Sequence, residues 1–387
     1  MAINFANYAN REQAYIKHTF LDKYIPALVG RIASRFDDFV YIDGFAGPWK
    51  SVAGETFNDT SFGIALKHMS DQKAFWIDRG RDVRMRAFLV EQDAVAFRQL
   101  IQAVRQFPSI EIEPLNGRME DYATEIVAKI SQKAFSFCLI DPKGFPQIEA
   151  LLPLLARPNS ETLVNFMFDF ANRFAGTDLI SALNDWLSAT IGDSSSQEEI
   201  MNLVGIEREE KIEWLAAESL RVRSNYTYAP VISVDKVQQN RTLYKLIFLT
   251  RHVKGLEVFR DCQYRALKVQ AEKRSMLKAL ARAETKSTID LFADGEDAIP
   301  NDRSSKMMES GKQRAKDELL GALKHAGAKG RAWGDLWPPI LATCVITRSI
   351  LGRSANELRK EGRISAPGWP KNQQKIPKDD QLLIWIE

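Results

Sequence analysis

The sequence contains few of the residues that bind metals or form disulfides. Its 387 residues include three cysteines and four histidines. Cys138, Cys262 and Cys344 lie far apart, and no CxxC pair or histidine at ligand spacing accompanies them. Zinc sites and disulfide frameworks need closely spaced or paired ligands, so we predict no metal site and expect reduced, buried thiols in a cytoplasmic protein.

Long apolar runs and a strong net charge are also missing. The N-terminal segment, MAINFANYANREQ, lacks the apolar core of a secretory signal. No apolar run approaches the roughly 18 residues of a membrane helix, so we expect no membrane partner. The formal net charge is only +3, so attraction to nucleic acid would have to come from local clusters of charge.

What the sequence does contain is an alternation of strand and helix patterns. The length suggests two domains, and a hydrophobic content of 45% is ordinary for globular proteins. Short apolar runs typical of buried strands lie at 39–43, 87–93, 110–117, 135–145, 162–170 and 244–252. Helical patterns lie between most of them, at 61–70, 92–106, 119–132 and 147–156. We predict a doubly wound, Rossmann-like α/β domain over residues 1–283, with a helical insertion at about 177–222.

The rest of the chain has the order of elements found in winged-helix domains. Residues 284–313 are rich in Ser, Asp and Gly, which predicts a linker. Three helical patterns follow, and we expect Pro338-Pro339 to break the second of them. The last two segments, ISAPGW and QLLIWIE, would pair as a hairpin. We therefore predict a winged helix over residues 314–387.

Basic residues cluster in two places. The stretch 251–286 holds ten Lys or Arg residues and four acids. On the predicted third helix, polar side chains form a face suited to a DNA major groove, namely Arg348, Ser354, Arg359 and Lys360. Lys371 and Lys375 would contact phosphates from the wing. These clusters favour nucleic acid, DNA or RNA, as a partner, the alternatives being a protein-binding surface or a solvated helix face.

Residues suited to binding a nucleoside cofactor follow the first three strands. In YIDGFAGPWKS the first strand ends at Asp43, and Gly44 and Gly47 follow it. Glycines let the backbone come close to a nucleoside cofactor, and Asp43 can accept a hydrogen bond from its amine. Glu91 ends the second strand and can accept both ribose hydroxyls. After the third strand, an adenine amine would meet one of two adjacent acids, Glu120 or Asp121.

The segment LIDPKGF ends the fourth strand at Asp141. Open α/β sheets carry their chemistry at this edge, because the carboxyl ends of parallel strands meet there. Any one of these acids could instead cap a helix or lie in a solvated loop. Four such strand ends in sequence order favour a cofactor cleft.

Five segments resemble the three-Cys-motif partner protein (TcmP) family over about residues 11–365. They are IKHTFLDKY, YIDGFAGP, LIDPKGF, NFMFDFANRF and YKLIFLTRHVKGLEVF. The resemblance implies a bacterial protein with a class I methyltransferase-like fold, S-adenosylmethionine as cofactor, and a radical-S-adenosylmethionine-like protein with the three-Cys motif as partner. The family's first loop usually reads FAGPG, whereas here Trp49 replaces the last glycine and would narrow the cleft.

The family in turn is similar to N6-adenine methyltransferases, whose fourth motif is Asp-Pro-Pro-aromatic. Asp141 and Pro142 keep the first half of that motif, whereas Lys143 departs from it and Phe145 follows one position later. The similarity implies that Asp141 accepts hydrogen bonds from a target amine and that Phe145 stacks on a flipped base. Three further residues are candidate nucleic-acid contacts, namely Lys17, His18 and Arg173.

Two hypotheses follow. The first is an S-adenosylmethionine-dependent methyltransferase-like protein acting on DNA or RNA, linked to mobile elements or phage defence. The second is a non-catalytic adaptor that joins the radical-S-adenosylmethionine-like partner to DNA. The acids at the strand ends favour the enzyme, whereas Trp49 and Lys143 favour the adaptor.

Overall fold

The structure is a computed structural model that describes residues 4–8, 11–47, 57, 59–174, 205–236, 241–286, 302–370 and 376–386. The chain divides into two compact units, Met1–Gly255 and Leu256–Glu387.

The first unit is built on a seven-stranded sheet. Its strands are β1 (Asp38–Asp43), β2 (Arg84–Glu91), β3 (Glu111–Asn116), β4 (Phe135–Ile140), β5 (Ser160–Phe166), β6 (Val231–Asp235) and β7 (Thr242–Leu249). They are ordered β3-β2-β1-β4-β5-β7-β6, with β1 to β5 parallel and β7 antiparallel to both of its neighbours. This mixed α/β architecture is consistent with the predicted Rossmann-like fold. Each predicted strand is present, and β6 is an addition.

Helices connect and cover the strands of this sheet. They are α1 (Glu12–Ile32), α2 (Ser61–Ile77), α3 (Ala94–Val104), α4 (Met119–Lys129), α5 (Ile148–Leu155), α6 (Phe168–Phe174) and α7 (Gly205–Arg223). The central strands are buried on both faces, as their unbroken apolar runs predict. A side chain caps the start of α3, where Asp93 accepts hydrogen bonds from the backbone N–H groups of Val95 and Ala96.

Two predictions for this unit need correction or fall outside the described residues. The strand predicted for 162–170 ends at Phe166, and Phe168 begins α6, because the run NFMFDF does not distinguish a buried strand from a buried helical turn. Of the predicted insertion at 177–222, residues 177–204 lie outside the described part of the chain. Residues 205–222 are helical.

The second unit combines four helices with a small antiparallel sheet among the residues described. The helices are α8 (Val253–Lys286), which starts at the boundary, α9 (Arg303–Ala326), α10 (Trp333–Thr343) and α11 (Arg348–Lys360). The strands are β8 (Arg331–Ala332), β9 (Ile364–Ser365) and β10 (Leu382–Trp385), with β10 in the centre. The predicted pairing of the last two segments is confirmed, and β8 is an addition. The winged-helix assignment stays a prediction.

Local differences from the prediction have simple physical causes. Residues 303–313, predicted as the end of a linker, form the first turns of α9, which Asp302 caps by accepting from the N–H of Ser304 at 2.9 Å. Helix α10 continues through Pro338 and Pro339, since burial of its apolar side chains outweighs the lost hydrogen bonds. All three cysteines are buried and free. No helix among the described residues has the length and apolar character needed to cross a bilayer.

Candidate active site

A cleft of about 1140 Å³ opens at the carboxyl ends of the parallel strands. It lies where the strand order reverses, since β1 pairs with β2 on one side and with β4 on the other. Open α/β sheets bind ligands at such switch points. The lining comes from the ends of β1, β2 and β4, the start of α4, one side of α1 and the strands β5 and β7.

The end of β1 meets the cleft through Gly44 rather than through Asp43. Asp43 is fully buried, and its carboxylate accepts hydrogen bonds from Ser61 Oγ at 2.7 Å, Tyr41 Oη at 3.0 Å and the N–H of Phe45 at 3.1 Å. Burial raises the pKa of Asp43 to about 6 although these hydrogen bonds lower it. Asp43 is therefore not part of the cleft wall, and its predicted contact with a cofactor amine stays a prediction. Of the two glycines that follow it, Gly44 lines the cleft and Gly47 does not.

Glu91, at the end of β2, lines the cleft as predicted. It is 4% exposed, and its Oε1 accepts from the N–H of Asp93 at 2.6 Å. Its backbone carbonyl accepts from Asn116 Nδ2 at 2.8 Å and from the N–H of Gly117 at 3.1 Å. Within the described residues, the other carboxylate oxygen has no hydrogen-bond donor. A ligand hydroxyl can therefore donate to a carboxylate that is already held in place.

The two adjacent acids at the start of α4 differ in position. Glu120 lines the cleft, with a side chain that is 9% exposed and an ion pair to Arg118 at 2.8 Å. Asp121 is exposed and is not part of the cleft wall. Since a helix start turns successive side chains by about 100°, only Glu120 can face the ligand.

Asp141, directly after β4, is held from two sides. Lys17 Nζ, on α1, donates to its Oδ2, and Asn165 Nδ2, on β5, donates to its Oδ1 at 2.5 Å. All three side chains line the cleft. The amide oxygen of Asn165 is buried and has no hydrogen-bond partner within the described part of the chain. This end of the cleft therefore combines a cation, a carboxylate and an amide, which can orient a polar group of a substrate.

The remaining residues of LIDPKGF also line the cleft. Pro142 is buried, and Lys143 is exposed at the rim. Phe145 is half-buried, and its ring centroid lies 5.6 Å from that of Phe166 and 6.0 Å from that of Phe170. Phe145 therefore lines the same cleft as Asp141, with its ring packed against other aromatic side chains, and its predicted stacking on a base stays a prediction.

Of the three predicted nucleic-acid contacts in this unit, only Lys17 lines the cleft. His18 is 5% exposed and shares a hydrogen bond with Tyr8 Oη at 2.8 Å. Burial, aided by the nearby Lys17 and Arg11 charges, lowers the pKa of His18 well below 6.5, so it is a neutral core residue. The Arg173 side chain is 58% exposed and lies 3.7 Å from Asp169, outside the cleft wall.

Sequence reasoning missed several cleft residues. Asn165 and Met167 lie within the segment 162–170 that the sequence predicts as a strand, and the signal for Asn165 is an amide that follows the apolar residues Leu163 and Val164. Tyr244 comes from β7, which the alternating pattern does not place beside β5. Its hydroxyl donates to the backbone carbonyl of Gln13 at 2.6 Å. Burial, and to a lesser degree the charge of Asp141, raises the pKa of Tyr244 well above 10.

The predicted DNA-reading face of the third helix, α11, is largely engaged within its own unit. Arg348 pairs with Asp379 at 2.5 Å and Glu257 at 3.5 Å, and its guanidinium lies 4.5 Å from the Trp337 ring centroid. Arg359 donates to the Trp369 carbonyl at 2.8 Å. Of the other two residues predicted for that face, Ser354 is fully buried and Lys360 is exposed. The wing residues Lys371 and Lys375 lie outside the described residues.

In the predicted basic stretch at 251–286, some of the arginines are likewise engaged inside the protein and not available to nucleic acid. Arg260 is buried and donates to the carbonyls of Leu341 at 2.6 Å and Ala342 at 3.0 Å, at the end of α10. Arg274 is buried and paired with Asp302 at 2.9 Å. Both arginines therefore hold the second unit together rather than face a ligand.

Comparisons with known proteins add little to this description. No protein-family model matches the chain, and no curated protein matches it. Among solved structures, it is similar to a DUF574 family protein from Streptomyces avermitilis at 10% sequence identity and a TM-score of 0.31. The match covers 60% of this chain and 83% of that chain. Because this likeness is too low to carry an argument, the fold assignment rests on the sheet itself.

Proposed function

We propose that this chain is a methyltransferase-like protein of the TcmP family that uses S-adenosylmethionine and acts on DNA or RNA, with a winged helix as its C-terminal module. The observation that carries the proposal is the cleft at the switch point of the sheet, with Glu91 at one end and Asp141 at the other. Parallel strands β1 to β5 followed by an antiparallel β7 resemble the sheet of class I methyltransferases.

The residues present fit the cofactor. Glu91 offers an oriented carboxylate oxygen to the ribose hydroxyls, and Glu120 offers another to an adenine amine. Gly44 lines the cleft next to Met119, and a Cβ at this position would come 2.9 Å from Met119 Cγ. S-adenosylmethionine, when bound, supplies an activated methyl group.

The part of the cleft around Asp141, which we call the acceptor end, suits a substrate whose nucleophile carries an N–H or O–H group. Asp141 can accept a hydrogen bond from such a group and orient it, because Lys17 and Asn165 fix the position of the carboxylate. Phe145 supplies an aromatic surface beside it for a base turned out of its stack. In this proposal Lys143, which is exposed and lines the cleft, contacts a phosphate of the nucleic acid.

A non-catalytic adaptor is the second candidate, and one observation favours it. Both oxygens of Asp141 already accept hydrogen bonds from protein groups, which is a stable arrangement without any substrate. In this case the chain would join a radical-S-adenosylmethionine-like partner to DNA within a bacterial mobile-element or phage-defence system, and the cleft would have no turnover.

Two variants separate the candidates. Calorimetric titration with S-adenosylhomocysteine should show binding to the wild type and a loss on the order of tenfold or more for Glu91→Gln, because a hydrogen bond to a charged acceptor is lost. Asp141→Asn should bind the ligand as the wild type does but transfer no labelled methyl group to mixed DNA or RNA. Ligand binding without any transfer by the wild type supports the adaptor. No ligand binding at all contradicts the cofactor.

A further inference from the structure

Three aromatic rings lead from the core of the first unit to its surface beside the cleft. The Phe145 ring, in the cleft wall, has its centroid 5.6 Å from that of Phe166 and 6.0 Å from that of Phe170. Both separations lie within the range of aromatic pairs in proteins. Phe166, on β5, is 1% exposed, whereas Phe170, on α6, is 37% exposed. The aromatic surface of the cleft therefore continues to the outside through Phe170.

The path of the chain places Phe170 near the acceptor end of the cleft. Strand β5 carries Asn165, which donates to Asp141, and α6 begins two residues after the strand ends. Met167, between the strand and the helix, also lines the cleft. A substrate whose reacting group lies at Asp141 therefore has Phe170 within reach of the part that remains outside the cleft.

An arginine is held in position next to Phe170. Arg241, just before β7, donates through Nη2 to Oδ2 of Asp169, the residue before Phe170, at 2.6 Å, and its side chain is 51% exposed. Two further cations, Lys236 at 3.1 Å and Arg173 at 3.7 Å, lie at the same carboxylate. A guanidinium has several N–H donors, so Arg241 can donate to a phosphate oxygen while Asp169 keeps it in place.

An aromatic ring beside a cation suits a single strand of nucleic acid. The bases of a single strand expose their faces and stack on aromatic side chains whatever the sequence, while cations contact the phosphates. In a duplex, the neighbours of a base that is turned out stay stacked in the helix and offer no face to a ring outside the cleft. A single apolar residue on a surface needs no explanation, but this ring continues the wall on which the target base would stack.

We propose that Phe170 stacks on the base next to the target base, that Arg241 contacts a phosphate beside it, and that the substrate is a single-stranded segment of DNA or RNA. The proposal rests on the proposed function, because it takes a base in the cleft as given. It goes further by naming the strand state of the substrate and two residues that contact the substrate outside the cleft wall.

The test uses the full chain and three fluorescent strands of about 15 nucleotides. They are a mixed-sequence single-stranded DNA, the corresponding RNA, and a DNA strand in which every sugar is abasic. Phe170→Ala should weaken binding of a strand with bases on the order of tenfold, because one stacking contact is lost, and should leave binding of the abasic strand unchanged. Phe170→Tyr keeps a ring and should bind as the wild type does. A loss with only one of the two natural strands identifies the sugar that the protein accepts.

A second exposed phenylalanine provides the matched control. Phe75 is 41% exposed and lies on α2, outside the cleft wall. Because α2 leads to the start of β2, which is parallel to β1, its last turns lie at the opposite edge of the sheet from the cleft. Phe75→Ala should therefore bind all three strands as the wild type does.

A salt series separates the two proposed contacts. Arg241→Gln should lower the slope of log K against log salt by about 1, because one phosphate contact is lost. Phe170→Ala should leave the slope unchanged, since stacking releases no counterions. Thermal unfolding curves that match the wild type show that the variants keep the fold.

The possible outcomes are distinguishable. Unchanged affinity of Phe170→Ala for both natural strands, or an equal loss with the abasic strand, would overturn the stacking role and leave a nucleic-acid substrate in place. Tighter binding of a duplex of the same sequence than of the single strand would overturn the single-stranded substrate. Absence of binding to any nucleic acid by the wild type would overturn this proposal and the nucleic-acid part of the proposed function together.

Discussion

Lys17 and Asp141 form an ion pair inside the cleft, although 124 positions separate them in the sequence. Their side chains are only 11% and 18% exposed. The pair joins the helix that precedes the sheet to the end of its fourth strand, and Asn165 fixes the other carboxylate oxygen. Lys17 therefore positions Asp141, and its predicted contact with nucleic acid stays a prediction.

Replacement of Lys17 should reduce methyl transfer, which depends on Asp141. It should not change the proposed binding of the cofactor at Glu91 and Glu120. Lys17→Met leaves Asp141 without its cation, so we expect methyl transfer to fall by roughly 10²-fold or more, as for a mispositioned catalytic group. Affinity for S-adenosylhomocysteine should stay unchanged, because Glu91 and Glu120 are untouched. Lys17→Arg should recover part of the rate. If the pH dependence of the rate differs between Lys17→Met and the wild type, Lys17 acts through its charge. An unchanged profile with a reduced rate would contradict it.

Glu120 and Asp121 provide a matched pair for the cofactor. Glu120→Gln should weaken S-adenosylhomocysteine binding by about tenfold, since a hydrogen bond to a charged acceptor contributes about 1.5–3 kcal/mol. Asp121→Asn makes the same charge change one residue away, outside the cleft wall, and should leave affinity as it is. Isothermal titration of both variants checks this prediction. A larger effect from Asp121→Asn would mean that α4 starts differently from the structure described.

Stability should depend on pH through a carboxyl group in the core. Glu161, on β5, is fully enclosed and accepts hydrogen bonds from Tyr24 and Thr250, and burial raises its pKa from 4.5 to about 7 despite these bonds. The folded state therefore binds this proton more tightly than the unfolded state. The resulting stability, about 3 kcal/mol, is fully present below pH 4.5 and is lost as the pH rises to about 7.

Urea denaturation of the wild type and of Glu161→Gln between pH 5 and 8 measures this effect. The difference in unfolding free energy between the wild type and Glu161→Gln should decrease as the pH rises. The pH dependence that remains in Glu161→Gln should combine two opposite contributions, from Asp43, whose pKa is raised to about 6, and from His18, whose pKa is lowered well below 6.5. Glu125→Gln, at an exposed site on α4, should keep the slope of the wild type. Identical slopes in wild type and Glu161→Gln would show that Glu161 does not titrate in this range.

The strands were predictable because parallel strands buried on both faces have nearly continuous apolar runs. Strand β6 escaped prediction because VISVD is short and lies between helical and turn residues. The run NFMFDF was assigned wholly to a strand, since an apolar segment of that length fits a strand and a helical turn equally well.

The candidate site was predictable only where a side chain follows a strand directly. Glu91 and Asp141 follow this rule and line the cleft. Asp43 follows it as well, yet its side chain turns into the core, because Tyr41, Phe45 and Ser61 satisfy it there. Asn165 and Tyr244 reach the cleft through strand neighbours that only tertiary structure determines. On α11 the same limit applies, since Arg348 pairs with Asp379 and Arg359 donates to the carbonyl of Trp369, and both partners lie beyond the end of the helix.

A buried ion pair in the second unit allows a final test. Arg274 and Asp302 are each 2% exposed and lie 2.9 Å apart, joining α8 to the start of α9. Arg274→Met leaves a buried carboxylate without its cation, and breaking such a pair typically costs about 3–5 kcal/mol. Asp302→Asn should also be destabilising, because its single amide oxygen can cap α9 or accept from Arg274 but not both, and the buried Arg274 cation then has no carboxylate. The exposed pair of Arg314 and Glu318, at 3.0 Å, is the control, and Arg314→Met should cost at most about 0.5 kcal/mol. Differential scanning calorimetry of the full chain measures both effects. The midpoint temperature of the same unfolding transition should fall strongly for Arg274→Met and barely for Arg314→Met. Similar small shifts for both would mean that water or another side chain compensates Asp302, and that α9 does not depend on the pair for its attachment to α8.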